Sequence, residues 1–233
     1  MAVYAVLNID IVGSRAISDR AKFQDVLKAH LETLSCTYST SLVAPITLTL
    51  GDEWQIVVRD LGQVYNLYLE VKTFLKTWQQ DCYCGIGIGQ MSTKEAGDTR
   101  QMDGEVFILA RESLTILKSN KRSYRKLIPT KECRVFVRAS SSCRLPIPSL
   151  DLILNNILQN NETLLARVTP KQAEVIKLYE SLGTYSEITK AYPHLSKGMI
   201  SERLKASNYW LIKSNEQLIQ DLIKAYTLDV EEV

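Results

Sequence analysis

Three carboxylates stand where apolar, β-branched runs meet a glycine. Asp10 lies in NIDIVGSR (Asn8–Arg15), shortly before Gly13, and Asp52 and Glu53 follow Gly51 in TLGDEWQIVV (Thr49–Val58). An acid inside a buried strand is costly unless paired or metal-bound, because a lone desolvated carboxylate is strongly disfavoured. Two such strands placed side by side would gather hard oxygen donors suited to Mg²⁺, an ion that keeps water and phosphate in its shell. The chemistry this favours is phosphate handling. The alternative is that Asp10 caps the next turn and Gly51-Asp52-Glu53 is a solvated hairpin tip.

The elements that must position these acids can be traced by periodicity. Val3–Val12 is too short and apolar for a surface helix and predicts a buried strand, and Thr47–Val58 predicts two strands folded about Gly51-Asp52. Between them Arg20–Leu34 carries Phe23, Val26, Leu27, His30 or Leu31, and Leu34 at helical spacing, with His30 as a partly buried residue at the stripe's edge. Leu61–Trp78 is a second amphipathic helix, whose stripe of Val64, Leu67, Tyr68, Val71, Leu75 and Trp78 points to a core. Tyr83–Gly89 predicts a strand with glycine at alternate positions (Gly85, Gly87, Gly89), the mark of close approach by a helix or a ligand. A helix over Gly104–Lys118 and a strand over Arg134–Val137 complete the order β-α-β-β-α-β-α-β. That order suits an α+β, ferredoxin-like sheet with its helices on one face.

Composition narrows the partners. The 233 residues carry 45% hydrophobic content and a net charge of +2, so the core is ample and any nucleic-acid surface must be local. Five cysteines (Cys36, Cys82, Cys84, Cys133, Cys143) form no zinc-type CxxC pairs. Cys82 and Cys84 alternate along a strand and are expected as small core residues, which favours a reducing cytoplasm. No apolar stretch approaches membrane-spanning length, and no membrane segment is expected.

Beyond Ser140–Ser149, where Pro146 and Pro148 make a linker, the chain reads as wholly helical. Ser149–Gln159 predicts a first helix, with a polar break from Asn155 to Asn161. Thr169-Pro170-Lys171-Gln172 combines an N-cap threonine, proline at the first helical position and a capping-box glutamine, and that helix stops at Gly183. Thr184-Tyr185-Ser186-Glu187 opens a short helix as a second capping box. After the turn at Pro193-His194-Leu195, Ser196 caps a third helix, Lys197–Ser207, burying Ile200 and Leu204. A short helix, a tight turn and a capped helix form the helix-turn-helix pattern. On double-stranded DNA, Ser196, Lys197, Ser201 and Glu202 at the helix start would approach base edges, while Arg203 and Lys205 would meet phosphates. A plain three-helix bundle for protein contact is the alternative. Leu211–Leu228 adds a strand or helix, read as a wing or a dimer helix.

DIVGSR (Asp10–Arg15), TLGDEWQ (Thr49–Gln55), GIGIG (Gly85–Gly89) and DGEVFILARESL (Asp103–Leu114) together resemble the bacterial SatD family. More distantly, the first 120 or so residues are similar to the palm domain of class III nucleotide cyclases, and Gly51–Trp54 to diguanylate cyclases. The likeness implies that Asp10 and Asp52, with Glu53 and the Ile11 carbonyl, hold one or two Mg²⁺ ions. A pair about 4 Å apart can activate a hydroxyl and neutralise a leaving pyrophosphate. It also implies a nucleoside triphosphate near Gly13, Ser14, Arg15 and Gly51, and a catalytic role for Arg111. Lys118, Lys121, Arg122, Arg125 and Lys126 form a basic run that would meet phosphates or simply be a solvated helix end. The chain departs from the cyclases where it matters for turnover. Phe107 stands where their transition-state asparagine should precede Arg111, and Leu48 where a lysine selects adenine. Loss of such a donor typically costs ~100–1000-fold in rate.

The expected organisation is a palm domain over 1–139, a linker over 140–149 and a helix-turn-helix domain with a C-terminal helix over 150–233. The expected function is a cytosolic, nucleotide- and Mg²⁺-responsive DNA-binding regulator that works as a homodimer. The alternatives are an active nucleotidyl cyclase or transferase with a regulatory tail, and a non-catalytic interaction scaffold.

Overall fold

The computed structural model describes residues 2–119, 127–128, 130–140 and 150–226. The expected linker prolines and Cys143 lie outside these residues. Within them the fold is α+β, with five strands in one mixed sheet: β1 (Tyr4–Ile11), β2 (Thr47–Leu50), β3 (Glu53–Val58), β4 (Cys82–Gly89) and β5 (Val135–Ala139). The described helices are α1 (Arg20–Thr37), α2 (Val64–Thr77), α3 (Glu105–Lys118), α4 (Leu150–Ala166), α5 (Pro170–Leu182), α6 (Tyr185–Ala191), α7 (Lys197–Ala206) and α8 (Tyr209–Ala225). The sheet runs β2-β3-β1-β4-β5, antiparallel except for the parallel pair β4/β5.

Strand alternation divides the sheet into two faces. Ala5, Leu7, Ile9 and Ile11 of β1 join Trp54, Ile56 and Val58 of β3 and Cys82, Cys84, Ile86 and Ile88 of β4 in the main core, covered by α1, α2, α4 and the second half of α8. Cys82 and Cys84 are buried free thiols, as their spacing implied. Val6 and Val57 point the other way, against Val106, Phe107 and Ala110 of α3.

Helices therefore cover both faces of the sheet, which corrects the expectation of one. The reason lies in the glycine stripe of β4. A Cβ on Gly85 would stand 2.5 Å from the Ala110 carbonyl oxygen, and one on Gly87 would stand 2.5 Å from the Ala110 nitrogen. The close approach read from the alternating glycines is the backbone of α3, seated where no side chain intervenes.

A second correction concerns the expected polar break at Asn155–Asn161, which is the middle of an unbroken α4. Asn156 and Asn160 are exposed, but Asn155, Gln159, Asn161 and Glu162 face inward and find partners. Asn155 accepts from the Val137 N–H (2.9 Å) and donates to the Val137 carbonyl (2.8 Å), so α4 is bonded directly to the edge strand β5. Asn161 donates to the Tyr65 hydroxyl (3.2 Å), and Glu162 pairs with Lys72 of α2 (2.5 Å) with both side chains buried.

Helices α5, α6 and α7 gather around a separate small core of Val175, Ile188, Leu195, Ile200 and Leu204, closed by Tyr209. Thr169 and Gln172 form the full reciprocal capping box, whereas at Thr184 the hydroxyl alone caps, accepting from the Glu187 N–H (3.2 Å). The last described segment is a helix within the chain's own core. α8 begins in the small core at Tyr209 and ends in the main core with Ile219 and Ile223. Its polar side anchors it further: Asn215 donates to Asn161 (3.3 Å), Gln220 to Asn66, and the adjoining Tyr226 hydroxyl to Asp151.

Candidate functional site

On the α3 side of the sheet, the side chains change from apolar to polar along the strands. The rung Val6–Val57 lies under α3, the next is Asn8–Gln55, and the last is Asp10–Glu53. Asn8 is 1% exposed. Its carbonyl oxygen accepts from Gln55 (2.8 Å), while its own amide N–H has no partner among the described residues. An unpaired buried donor is uncommon in native structures and costs about 1–3 kcal/mol.

Asp10 and Glu53 lie directly opposite each other on adjacent strands. Asp52 sits one residue away in the β2–β3 turn. The backbone joins the two acidic segments, because the Ile11 N–H donates to the Asp52 carbonyl (3.1 Å). Ser14 is buried in the single 3-10 turn after β1, and its hydroxyl donates to the Asp52 carboxylate at 2.5 Å. Gly13 takes a left-handed conformation (φ 65°) that aims the chain into this turn, a conformation glycine adopts without strain. The sequence-predicted residues Asp10, Ile11, Ser14, Asp52 and Glu53 are thus brought together. Arg15 is exposed on the same turn, and Gly51 forms the hairpin tip.

The cations come from α3. Arg111 and Lys118 are two helical turns apart and so share one side of the helix. Arg111 pairs with Glu53 (2.5 Å) and Lys118 with Asp10 (2.7 Å). The carboxylates are largely enclosed, at 11% and 14% side-chain exposure, and the cations open at 56% and 44%. Phe107, one turn before Arg111, belongs to the apolar cluster that α3 forms with Val6 and Val57. The helix position one turn before Arg111 is therefore apolar. Leu48 pairs with Trp54 and packs against the main core. Arg122 and the rest of the basic run lie outside the described residues.

Sequence reasoning missed several residues that the fold adds. Gln24 of α1 donates to the Gly51 carbonyl (3.2 Å), and the Arg20 guanidinium lies over the same turn, 3.5 Å from where a Gly51 Cβ would be. Tyr83 stands opposite Asp10 on β4, and the Arg134 guanidinium stacks on its ring (4.9 Å) while donating to its hydroxyl (3.1 Å) and to Asp81 (3.2 Å). The period of two that marks Asp10 also marks Asn8, and the i, i+4 pair Arg20 and Gln24 also had a legible spacing. The contact of Arg134 with Tyr83 crosses the parallel pair and left no local signal.

Among the described residues, no three His, Cys, Asp or Glu side chains are grouped so as to hold a metal ion by themselves. Two partly enclosed carboxylates fit Mg²⁺ only if phosphate and water complete its shell, which is how that ion is commonly bound.

The second candidate surface is α7. The Ser196 hydroxyl caps it, accepting from the Met199 N–H (3.2 Å), and Ile200 and Leu204 hold it to the small core. Ser196, Lys197, Gly198, Met199, Glu202 and Lys205 are exposed, and Ser201 and Arg203 half-buried. No described helix is long and apolar enough to cross a membrane.

A family model described as the SatD family matches residues 4–223, nearly the whole chain, and the chain belongs to that family. No curated protein matches it significantly.

Proposed function

We propose that this member of the SatD family is a DNA-binding regulator whose sheet unit binds a nucleotide together with Mg²⁺. The observation that carries the reading is α8, a single helix packed at one end into the α5–α7 core and at the other into the sheet core. A change at the sheet therefore has a continuous, packed route to α7, the helix that presents Lys197, Glu202 and Lys205 outward with Ser201 half-buried beside them. The capped short-helix, turn and second-helix order of α6 and α7 supports a helix-turn-helix, with the start of α7 as the reading end. The antiparallel order β2-β3-β1-β4, with α1 and α2 on one face, supports a palm-like split βαβ unit. Two copies would present two α7 helices to half-sites one helical turn apart, so the active form is a homodimer.

Turnover is disfavoured in this reading. Phe107 cannot donate a hydrogen bond to a reacting phosphate, and Arg111 is engaged with Glu53. The bound nucleotide is a signal, and Asp10 and Asp52 would share its metal.

Fluorescence polarisation of labelled duplex DNA with the full chain, titrated with salt, tests the DNA half of the proposal. Replacing Arg203 or Lys205 with Gln should weaken binding to all sequences and lower the salt slope by roughly one unit each. Replacing Ser201 or Glu202 should instead change which sequence is preferred. Failure of the wild-type chain to bind duplex DNA at low salt would leave α5–α7 as a protein-contact bundle.

A further inference from the structure

The two sheet carboxylates of the candidate site already have cations, and those cations belong to the chain. Lys118 reaches Asp10 from the last turn of α3, where its side chain is 44% exposed while the carboxylate it contacts is 14% exposed. An ammonium on a four-carbon stem is a mobile point charge, unlike the planar fork of Arg111, which keeps its own contact with Glu53. Next to this pair lies the buried, unpartnered amide N–H of Asn8, two residues before Asp10 and on the same sheet face. The site thus holds an occupied cation position beside a donor that still lacks an acceptor.

We propose that Lys118 is a placeholder cation that makes metal entry at Asp10 depend on an anionic ligand. This rests on the reading of the site as a Mg²⁺–nucleotide site. A divalent ion arriving alone must displace the ammonium into water, and among the described residues it finds too few carboxylates to complete its shell. A metal arriving with a polyphosphate brings its own oxygens, and the displaced Lys118 moves onto the phosphate. The exchange leaves no charge unpaired. The lysine therefore opposes binding of the bare metal and favours binding of the metal–polyphosphate complex. Removing it should change the two affinities in opposite directions. A lysine with only a structural role would not give that pattern, because loosening α3 would weaken both.

The test uses the full chain, Mn²⁺ in place of Mg²⁺, and ATP as the polyphosphate probe. Binding of Mn²⁺ alone is read from the loss of the free-ion electron paramagnetic resonance signal, and binding of Mn·ATP by calorimetry. Wild type should bind Mn²⁺ alone weakly and Mn·ATP well. Lys118→Met should tighten Mn²⁺ alone by roughly five-fold, as expected for removing one partly exposed ion pair worth about 1 kcal/mol, and should weaken Mn·ATP. Lys118→Arg, which keeps the charge, should stay close to wild type for Mn²⁺ alone. If Lys118→Met shifts both affinities the same way, or neither, while wild type binds Mn·ATP, the placeholder role is wrong and the nucleotide reading survives. If wild type binds neither Mn²⁺ nor Mn·ATP, the nucleotide reading fails and takes this inference with it.

Discussion

Gly85 gives the most direct test of how the sheet positions the site. Its missing side chain is what lets α3 lie on β4, and α3 carries both Arg111 and Lys118 to the carboxylates. An alanine Cβ there would fall 2.5 Å from the Ala110 carbonyl oxygen and 2.7 Å from the Leu114 Cα, all of it helix backbone that cannot rotate away. Ordinary contact begins near 3.4 Å, so the helix must rise from the sheet by roughly an ångström. Overpacking of this kind costs about 1–3 kcal/mol, and lifting α3 also loosens Val106, Phe107 and Ala110 from Val6 and Val57. Gly85→Ala should therefore lower stability by about 2–3 kcal/mol. At this chain length that corresponds to a fall in Tm of about 4–12 °C. Gly97→Ala is the control, because nothing lies within 4 Å of its Cβ position, and it should stay within about 0.5 kcal/mol of wild type. Urea unfolding followed by circular dichroism measures both. A Gly85→Ala protein as stable as the Gly97→Ala control would refute the close seating of α3 and, with it, the geometry assigned to Lys118 and Arg111.

Lys72→Met leaves Glu162 buried without its counter-ion, with one carboxylate oxygen that already lacks a partner, and should cost about 3–5 kcal/mol. Adding Glu162→Leu should restore most of that loss, and a double variant no better than the single one in urea unfolding would count against the pair. His30 stacks on Phe74 with ring centroids 4.0 Å apart, and burial lowers its pKa below the ordinary 6.5, Glu70 opposing more weakly. The unfolded chain takes up this proton first, so stability should fall as pH drops through about 6.5. His30→Phe should remove that component when unfolding midpoints at about pH 7.5 and about pH 5.5 are compared. An equal loss in wild type and variant would assign the acid sensitivity elsewhere.

The strand and helix order was legible because it rests on short-range periodicity, and the glycines at 85 and 87 announced a close neighbour without naming it. What could not be read was which element fills a given face. The polar run Asn155–Asn161 looked like a break because Asn and Gln usually seek water. Here, β5 and the Tyr65 hydroxyl supply Asn155 and Asn161 with partners that are remote in sequence. The same limit applied at the candidate site. Asp10, Asp52 and Glu53 stood out as acids in apolar strands, but the cations that balance two of them arrive from a helix more than fifty residues further along the chain. Lys118 was visible only as one member of a basic run, and its pairing with Asp10 requires the seat that Gly85 and Gly87 provide.

In the proposed function a nucleotide at the sheet is coupled to DNA at α7 through α8. Polarisation of a labelled duplex by the full chain, with and without saturating Mg·ATP or Mg·GTP at fixed salt, measures that coupling directly. At least one nucleotide should change DNA affinity by about 5–150-fold, the usual range of allosteric coupling, and Asp10→Asn should abolish the change while leaving nucleotide-free DNA binding intact. DNA affinity that no nucleotide alters, in a chain shown by calorimetry to bind that nucleotide, would contradict that coupling.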